Sequence, residues 1–257
     1  MRPRFVDCHS HAVPSGDDGA QNLADGIALC ELAAQAGTEI LYATPHVWPH
    51  LVLTEERERA VRRAFEALRV DVPLELRLGF ELTPAPPLLE EDPARYALEG
   101  TGLVLVEVPF AGPPDELWAL AEHIEAAGLV PLVAHPERTE AVRARPGLAE
   151  ELTERGWPLQ VNSTSITGRH GPEAEALAWR FIERGHAKVV GSDGHRLTRP
   201  ARLDDAYELV SARVGEEAAL PLFDGTGLGL RRSLATPTKE AMPAPPAWPS
   251  NAPSRMR

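Results

Sequence analysis

Seven short apolar runs, each followed by a longer stretch of helical periodicity, set what this 257-residue chain can fold into. The runs fall at residues 5–8, 40–44, 74–80, 103–108, 130–134, 159–161 and 188–191. They are rich in Val and Leu and bounded by polar residues, Gly or Pro, and so read as buried strands. Between them, Leu23, Ile27 and Cys30 recur at helix spacing and the pattern stops at Gly37. Residues 55–69 are charged on one face, with Val61, Phe65 and Leu68 on the other; residues 115–127 follow Pro113-Pro114 and stop at Gly128. Further helices are expected over 144–155, 172–184 and 201–214, each ending at a glycine. The Pro-rich stretch 84–99 has no clear period. Strand alternating with helix implies parallel pairing, hence an α/β fold. The expected architecture is one domain over residues 1–234, a closed or nearly closed barrel of about seven β/α units; an open doubly wound sheet is the alternative. Residues 235–257, rich in Pro and Ala, are expected to form a disordered tail.

A chain of this length can bury a sizeable core without disulfides. Its two cysteines, Cys8 and Cys30, form no framework and no CxxC pair, which favours a cytoplasmic location. The N-terminal apolar run is too short for a signal peptide, and no stretch approaches a membrane span. The formal net charge of -12 argues against nucleic acid as a partner. Neither cysteine starts a CxxxxxR phosphate loop, since Pro14 and Ala36 stand where the arginine would be. A cysteine-phosphatase mechanism therefore has no support.

Chemistry gathers where the apolar runs end. Asp7, His9 and His11 accompany the first run, His46 the second, Glu81 the third and Glu107 the fourth. His135, Glu137 and Arg138 follow the fifth, Asn162, Ser163 and Ser165 the sixth, and Asp193 and His195 the last. In β/α proteins the C-terminal edge of the strands is where sites assemble. Side chains alternate along a strand, so His9 and His11 point the same way, as do Asp193 and His195 if strand geometry extends that far. Five histidines with several carboxylates and no thiolate suit Mn, Fe or Zn, and exceed the needs of one ion. The loop 14–19 adds Asp17 and Asp18, either of which can reach back to a metal or merely form a turn. Away from this pattern, His123 and His186 read as ordinary helix or loop histidines. His50 and His170 are candidates for the mouth of a site. Trp48 and Trp118 either line an entrance or pack helices.

These residues also carry a resemblance. HSHAVPSGDDGA at 9–20 resembles the opening motif of the PHP (polymerase and histidinol phosphatase) superfamily, and more closely the bacterial protein-tyrosine phosphatases of capsule and exopolysaccharide synthesis. ATPH at 43–46, GFEL at 79–82, VEVP at 106–109, AHPER at 134–138, QVNSTSITGRHG at 160–171 and SDGHRLTRP at 192–200 agree in order. The resemblance implies a distorted seven-unit PHP barrel and a trinuclear site, usually manganese-activated. It implies metal ligation by His9, His11, Asp18, His46, Glu81, Glu107, His135, Asp193 and His195, and phosphate binding by Arg138 and Arg199. The expected reaction is phosphomonoester hydrolysis by a metal-bridging hydroxide, with His195 or a bound water as the proton source. The expected substrate is phosphotyrosine on protein, with a membrane-associated tyrosine kinase of polysaccharide export as the expected partner. A small-molecule phosphatase acting on a compound such as histidinol phosphate is the alternative. A non-catalytic module and a metal-dependent amidohydrolase are the other classes. The complete ligand set disfavours the first and the two arginines disfavour the second.

Overall fold

A computed structural model describes residues 3–145 and 147–230. The expected tail, 235–257, lies outside the described residues. Strands and helices alternate as the hydrophobic rhythm requires. In order they are β1 (Phe5–Ser10), α1 (Leu23–Gln35), β2 (Thr38–Ala43), β3 (His46–Val47), α2 (Glu55–Arg69), β4 (Glu75–Leu78), β5 (Glu81–Leu82), β6 (Leu103–Glu107), α3 (Asp115–Ala126), β7 (Val130–Ala134), α4 (Glu140–Ala144), α5 (Leu148–Glu154), β8 (Leu159–Asn162), α6 (Ser163–Ile166), α7 (Pro172–Glu183), β9 (Ala187–Gly191), α8 (Asp204–Val214) and α9 (Glu216–Phe223). The Pro-rich stretch forms two 3-10 turns, Pro86–Glu90 and Pro93–Tyr96.

Helix starts follow local chemistry. The Asn22 side chain accepts from Asp25 N at the head of α1, and Thr54 Oγ1 accepts from Arg57 N at the head of α2, satisfying amides that the first turn leaves orphaned. The helix expected over 144–155 begins later, as α5, and a separate short helix, α4, ends at Ala144. Pro146 lies between them and has no amide to donate, and Arg145 before it leaves the helical region (φ −134°, ψ 79°). Helix α9 follows α8 across Gly215, which has φ 88° and cannot continue a helix.

All strand pairs are parallel, in the orders β1-β2-β4 and β3-β5-β6-β7-β8-β9. Two short strands lie beyond the expected runs: β3 follows the run 40–44 across Thr44-Pro45, and β5 follows the run 74–80, whose strand β4 ends at Leu78. Their ladders nonetheless run on through Gly79 N→Ala43 O (2.9 Å), Glu81 N→Pro45 O (3.2 Å) and Thr83 N→Val47 O (3.1 Å). Residues 96–99 fill the space between β4 and β6, where Glu99 N donates to Leu78 O and Leu98 N to Leu103 O. Gly79 permits this, because a Cβ there would lie 2.4 Å from Leu98 Cδ2. Strands β9 and β1 meet through Asp193 N→His9 O (2.8 Å), His11 N→Gly194 O (2.7 Å) and a parallel bridge from Ser10 to Gly194.

The strands are apolar on both faces, as parallel strands with two buried faces must be. Val104, Val106, Val133 and Val190 pack towards the helices; Leu103, Leu105, Leu132, Ala134 and Val189 pack on the other face with Val6, Cys8, Tyr42, Leu98 and Leu230. The buried guanidinium of Arg77 closes that second cluster. It donates to Tyr42 Oη (2.9 Å), to the Leu230 carbonyl (2.7 Å) and to Glu75 (2.8 Å). Replacing Arg77 with Ala leaves Tyr42 Oη and Leu230 O without this donor in a dry environment. We expect a loss of roughly 2–4 kcal/mol, read as a lower urea midpoint at unchanged slope. An unchanged midpoint would refute the assignment.

Candidate metal centre

The carboxylate of Glu81, wholly buried at the start of β5, is the hub towards which the strand ends converge. Its Oε1 lies 2.9 Å from His135 Nε2. Its Oε2 lies 3.0 Å from His46 Nδ1, 3.1 Å from His9 Nε2 and 3.3 Å from His11 Nε2, yet takes part in no hydrogen bond. The neighbours of His9 explain why. Its Nδ1 is 3.0 Å from Gln160 Oε1, an acceptor, so a neutral ring carries its proton there and turns the Nε2 lone pair towards Glu81. Such a lone pair is repelled by the buried carboxylate unless a proton or a metal cation sits between them; burial opposes a second proton, but the charges of Glu81 and Asp193 outweigh it and raise His9 above its usual range. Three groups have donor atoms within 4.8 Å of one another: His9, Glu81 and His135; His9, His11 and Asp193; His11, His46 and His195. Nitrogen and carboxylate oxygen without thiolate fit borderline or hard divalent ions.

The remaining expected ligands surround this hub. Asp193 Oδ1 is 3.5 Å from His9 Nε2, 3.4 Å from His11 Nε2 and 3.3 Å from His195 Nδ1. Asp18 is half-exposed and reaches His195 Nε2 at 3.2 Å and His46 Nε2 at 3.6 Å. Glu107 ends β6, where Thr83 Oγ1 donates to it. Burial, and then the charge on Glu81, push the Glu107 carboxyl up to about 8. Burial also works against Glu81, but the imidazoles of His9 and His46 outweigh it and hold that carboxyl well below its usual range. Two adjacent buried carboxylates so far apart mark a site short of positive charge.

The backbone reaches these positions by a route that strand alternation does not describe. Strand β9 stops at Gly191, and both Asp193 (φ 52°) and His135 (φ 34°) adopt left-handed conformations that cost a non-glycine residue energy. Strand geometry thus does not extend to Asp193 and His195, although both side chains reach the site. The register between β1 and β2 shifts between Asp7 and Ser10, where the ligands of β1 begin. Loop 14–19 is clamped from beneath by Arg57, whose buried side chain donates to the carbonyls of Ser15 (3.3 Å), Leu51 (2.9 Å) and His46 (2.8 Å). Asp17 is not aimed as Asp18 is. It is buried and accepts from His46 N (3.0 Å) and Gly19 N (3.1 Å). Gly19 itself has no room for a Cβ, which would lie 2.5 Å from both His11 Cβ and His11 O.

Sequence reasoning placed Asp7, Glu137 and Asn162 at strand ends without a role and did not single out Gln160. Gln160 holds His9 and donates through Nε2 to Asn162 Oδ1 (2.8 Å), and Asn162 Nδ2 donates to Asp193 Oδ2 (2.8 Å). This chain therefore ties the ligand of β1 to the ligand after β9. Glu137 accepts from Asn162 N (2.9 Å) and Ser165 Oγ (2.7 Å), and burial pushes its carboxyl up to about 7. Asp7 accepts from the amides of His9 (3.2 Å) and Ser192 (3.0 Å), and burial pushes it up to about 6. The polar runs 160–165 and 192–195 marked these segments, but only cross-strand contact assigns the roles.

Both expected arginines lie on the same carboxylate. Arg138 Nη1 donates to Asp193 Oδ2 (2.6 Å), and Arg199 Nη2 donates to Asp193 Oδ1 (2.8 Å). They line a cavity of about 340 Å³ with Asp18, His46, Glu107, His135, Asp193 and His195. Trp48, Pro49, His50 and Phe110 complete its mouth. His50 is thus at the mouth as anticipated. His170 is half-buried, with Nδ1 3.0 Å from Ser165 Oγ. His123 bonds the Glu91 carbonyl, His186 packs on Phe181, and Trp118 packs on Trp157 in the core. A larger hollow of about 760 Å³ lies at the opposite end of β1, β2 and β4, lined by Pro3, Arg4, Val72 and Glu75 among others. It brings no metal-ligand set together.

Comparison with known proteins agrees with the geometry. Residues 5–226 match the family described as Capsular polysaccharide synthesis, CpsB/CapC. The chain is 31% identical over 236 residues to the tyrosine-protein phosphatase YwqE of Bacillus subtilis, covering 88% of this chain and 92% of that protein. It is 26% identical over 232 residues to the tyrosine-protein phosphatase CpsB of Streptococcus pneumoniae, covering 85% and 95%. A solved structure from work on these two proteins, called unique metal-dependent tyrosine phosphatases, superposes with a TM-score of 0.74 at 28% identity, covering 85% of this chain and 91% of that one. A D-hydantoinase from Thermus sp. superposes with a TM-score of 0.53 at 11% identity over 85% of this chain and 68% of that one, a likeness of fold alone.

The hydrogen-bond chain from His9 to Asp193 makes Gln160 a support of the ligand set. Gln160→Leu removes the acceptor that fixes the His9 ring. Loss of such a support is expected to weaken metal affinity about 10- to 100-fold while the protein stays folded. Competition against a metallochromic chelator measures it, and an unchanged affinity would count against this role.

Proposed function

The chain belongs to the CpsB/CapC family of capsular polysaccharide synthesis, and from that premise we propose that it is a metal-dependent protein-tyrosine phosphatase. The observation that carries this reading is the buried Glu81 cluster of imidazoles and carboxylates opening into one cavity with two guanidinium groups. We assign His9, His11, Asp18, His46, Glu81, Glu107, His135, Asp193 and His195 as the metal ligands. Three divalent ions, with manganese preferred over iron or zinc, would match the three donor groups. Bound there, such ions supply a water acidified to near-neutral pKa and Lewis-acid stabilisation of phosphoryl oxygens.

The chain's own residues contribute capture and orientation. Arg138 and Arg199 present planar forks that match phosphate oxygens, and Asp193 holds both on one side of the cavity before substrate arrives. Burial, followed by the neighbouring charge of His11, pulls His195 down to about 4, so its ring is neutral and free to ligate at physiological pH. Thr83 holds Glu107, Gln160 holds His9 and Asn162 holds Asp193. The centre is thus fixed before any substrate binds.

The same reading extends to the fold and the partner. The Ser10–Gly194 bridge and the flanking amide bonds between β1 and β9 support a distorted seven-unit PHP barrel. The family's role in capsule synthesis supports a tyrosine kinase of polysaccharide export as the protein substrate. Among the described residues no helix is long and apolar enough to cross a membrane. Cys8 and Cys30 are free, buried thiols, which suits a cytoplasmic site of action.

The deciding assay strips the protein with chelator, restores manganese, and follows phosphate release from a phosphotyrosine peptide and from histidinol phosphate. Manganese-dependent release favouring the peptide is expected. Preference for histidinol phosphate would move the function to small-molecule hydrolysis, and no release from either would remove the phosphatase reading. His9→Ala and Asp193→Ala should abolish turnover and lower bound metal by elemental analysis. Arg199→Ala should keep the metal and raise KM about 10- to 100-fold, as expected for loss of a charge-assisted phosphate contact. Full activity of the two ligand variants without added metal would defeat the scheme.

A further inference from the structure

Two aromatic side chains stand at the mouth of the cavity and are explained by neither metal binding nor phosphate capture. Trp48 stacks on His46 with ring centroids 4.4 Å apart and planes 28° apart. Phe110 stacks on His135 at 5.6 Å and 19°. His46 contacts Oε2 of Glu81 and His135 contacts Oε1, so the two rings cover different sides of the same hub. Both line the one cavity that also holds Arg138 and Arg199. Phe110 keeps 46% of its surface exposed.

Neither ring is loosely placed. Trp48 is fixed by the bridge to Leu51, whose amide donates to Trp48 O at 2.9 Å, and the Phe110 carbonyl accepts from Glu140 N at 3.0 Å. His46 and His50 lie against Trp48, the latter at 5.1 Å and 24°, and the guanidinium of Arg138 lies over Phe110 at 5.0 Å. Each ring also lines the cavity, so part of it is left to meet a ligand. An aromatic edge is the positive part of the quadrupole and packs favourably against the negative face of another ring.

We propose that Trp48 and Phe110 form an aromatic clamp that selects aryl over alkyl phosphomonoesters, holding the ring of the ester group while Arg138 and Arg199 hold the phosphate. This deepens the phosphatase reading above and rests on it. An aryl group at the phosphate offers these rings an aromatic surface to pack on; a serine- or threonine-type alkyl group offers none. The clamp therefore acts on ground-state binding and on the aryl-to-alkyl ratio, not on the reacting atoms. Trp48 and Phe110 are specificity residues and not catalytic ones.

The test uses the manganese-loaded full chain with Trp48→Leu, Phe110→Leu and, as conservative partner, Phe110→Tyr. It measures KM and kcat for a phosphotyrosine peptide and the inhibition constant of inorganic phosphate, which has no ring to clamp. Each leucine variant is expected to raise KM about three- to tenfold, the span of one aromatic contact. The phosphate constant should stay within about twofold, as one contact unrelated to the ring moves little. Phe110→Tyr should retain most of the wild-type KM. Unchanged KM in both leucine variants overturns the clamp. An equal rise in KM and in the phosphate constant overturns it too, because the rings would then serve only to seat Arg138 or the ligands. A wild-type protein that releases no phosphate from the peptide overturns the phosphatase reading and the clamp with it.

Discussion

A carboxylate with no exposure to water and four imidazole nitrogens within 3.3 Å is the constraint on which the rest of the structure depends. Burying one ion without a partner costs several kcal/mol even after relaxation. A neutral His9 cannot donate to Glu81, because Gln160 Oε1 already claims its one ring N–H. The centre must therefore take up protons on its histidines or acids, or hold metal cations. The strong split between Glu81, held low, and Glu107, pushed up to about 8, shows how the first course would be shared. Metal binding resolves the conflict for all members together. It follows that ligand loss should be felt across the centre, since each remaining group keeps its desolvation without its counter-charge.

That constraint explains features of the fold that hydrophobic packing does not demand. The strand ends are irregular where ligands leave them: a register shift in β1, a break at Pro45, and left-handed residues at His135 and Asp193. Each departure re-aims a side chain at the hub, and the surrounding hydrogen bonds keep it there. Arg57 is the clearest case. A guanidinium is buried to bind three carbonyls, so that the loop bearing Asp17 and Asp18 and the turn after His46 keep one geometry. Below the centre, where no ligand is needed, the strands return to alternating apolar residues with both faces covered.

The sequence revealed the proposed ligands more readily than their supports. His9, His11, His46, Glu81, Glu107, His135, Asp193 and His195 were legible because each follows an apolar run, and the strand-end rule assigns such residues to one edge. Asp18 was separated from Asp17 only by family resemblance; in the fold Asp17 turns inward to the His46 amide while Asp18 reaches His195. Gln160, Asn162, Glu137 and Arg57 were not legible as supports, because their partners lie on other strands or loops. Helix periodicity was followed through Pro146 when its missing amide should have divided the helix. The two-residue strands β3 and β5 are too short to carry a period. Trp48 was open to either reading, and Phe110 gave no signal, since an exposed phenylalanine becomes informative only once the mouth is known.

The chain's charge makes a last demand on the proposed chemistry. With a formal net charge of -12, the protein as a whole repels a phosphate dianion. At physiological ionic strength, however, exposed charges are screened over about 8 Å, so the acidic helix faces act weakly at the mouth. What the substrate meets is local: two guanidiniums, and any cations held by Asp18, Glu81, Glu107 and Asp193. Asp193 serves both functions, facing the histidines through Oδ1 and Arg138 through Oδ2. A cation bound there would neutralise the carboxylate that now holds both arginines, weakening that hold as phosphate arrives to replace it. On the proposed assignment, metal loading and phosphate capture would be coupled through this one side chain, and the bound cations would offset the acidic charge at the cavity.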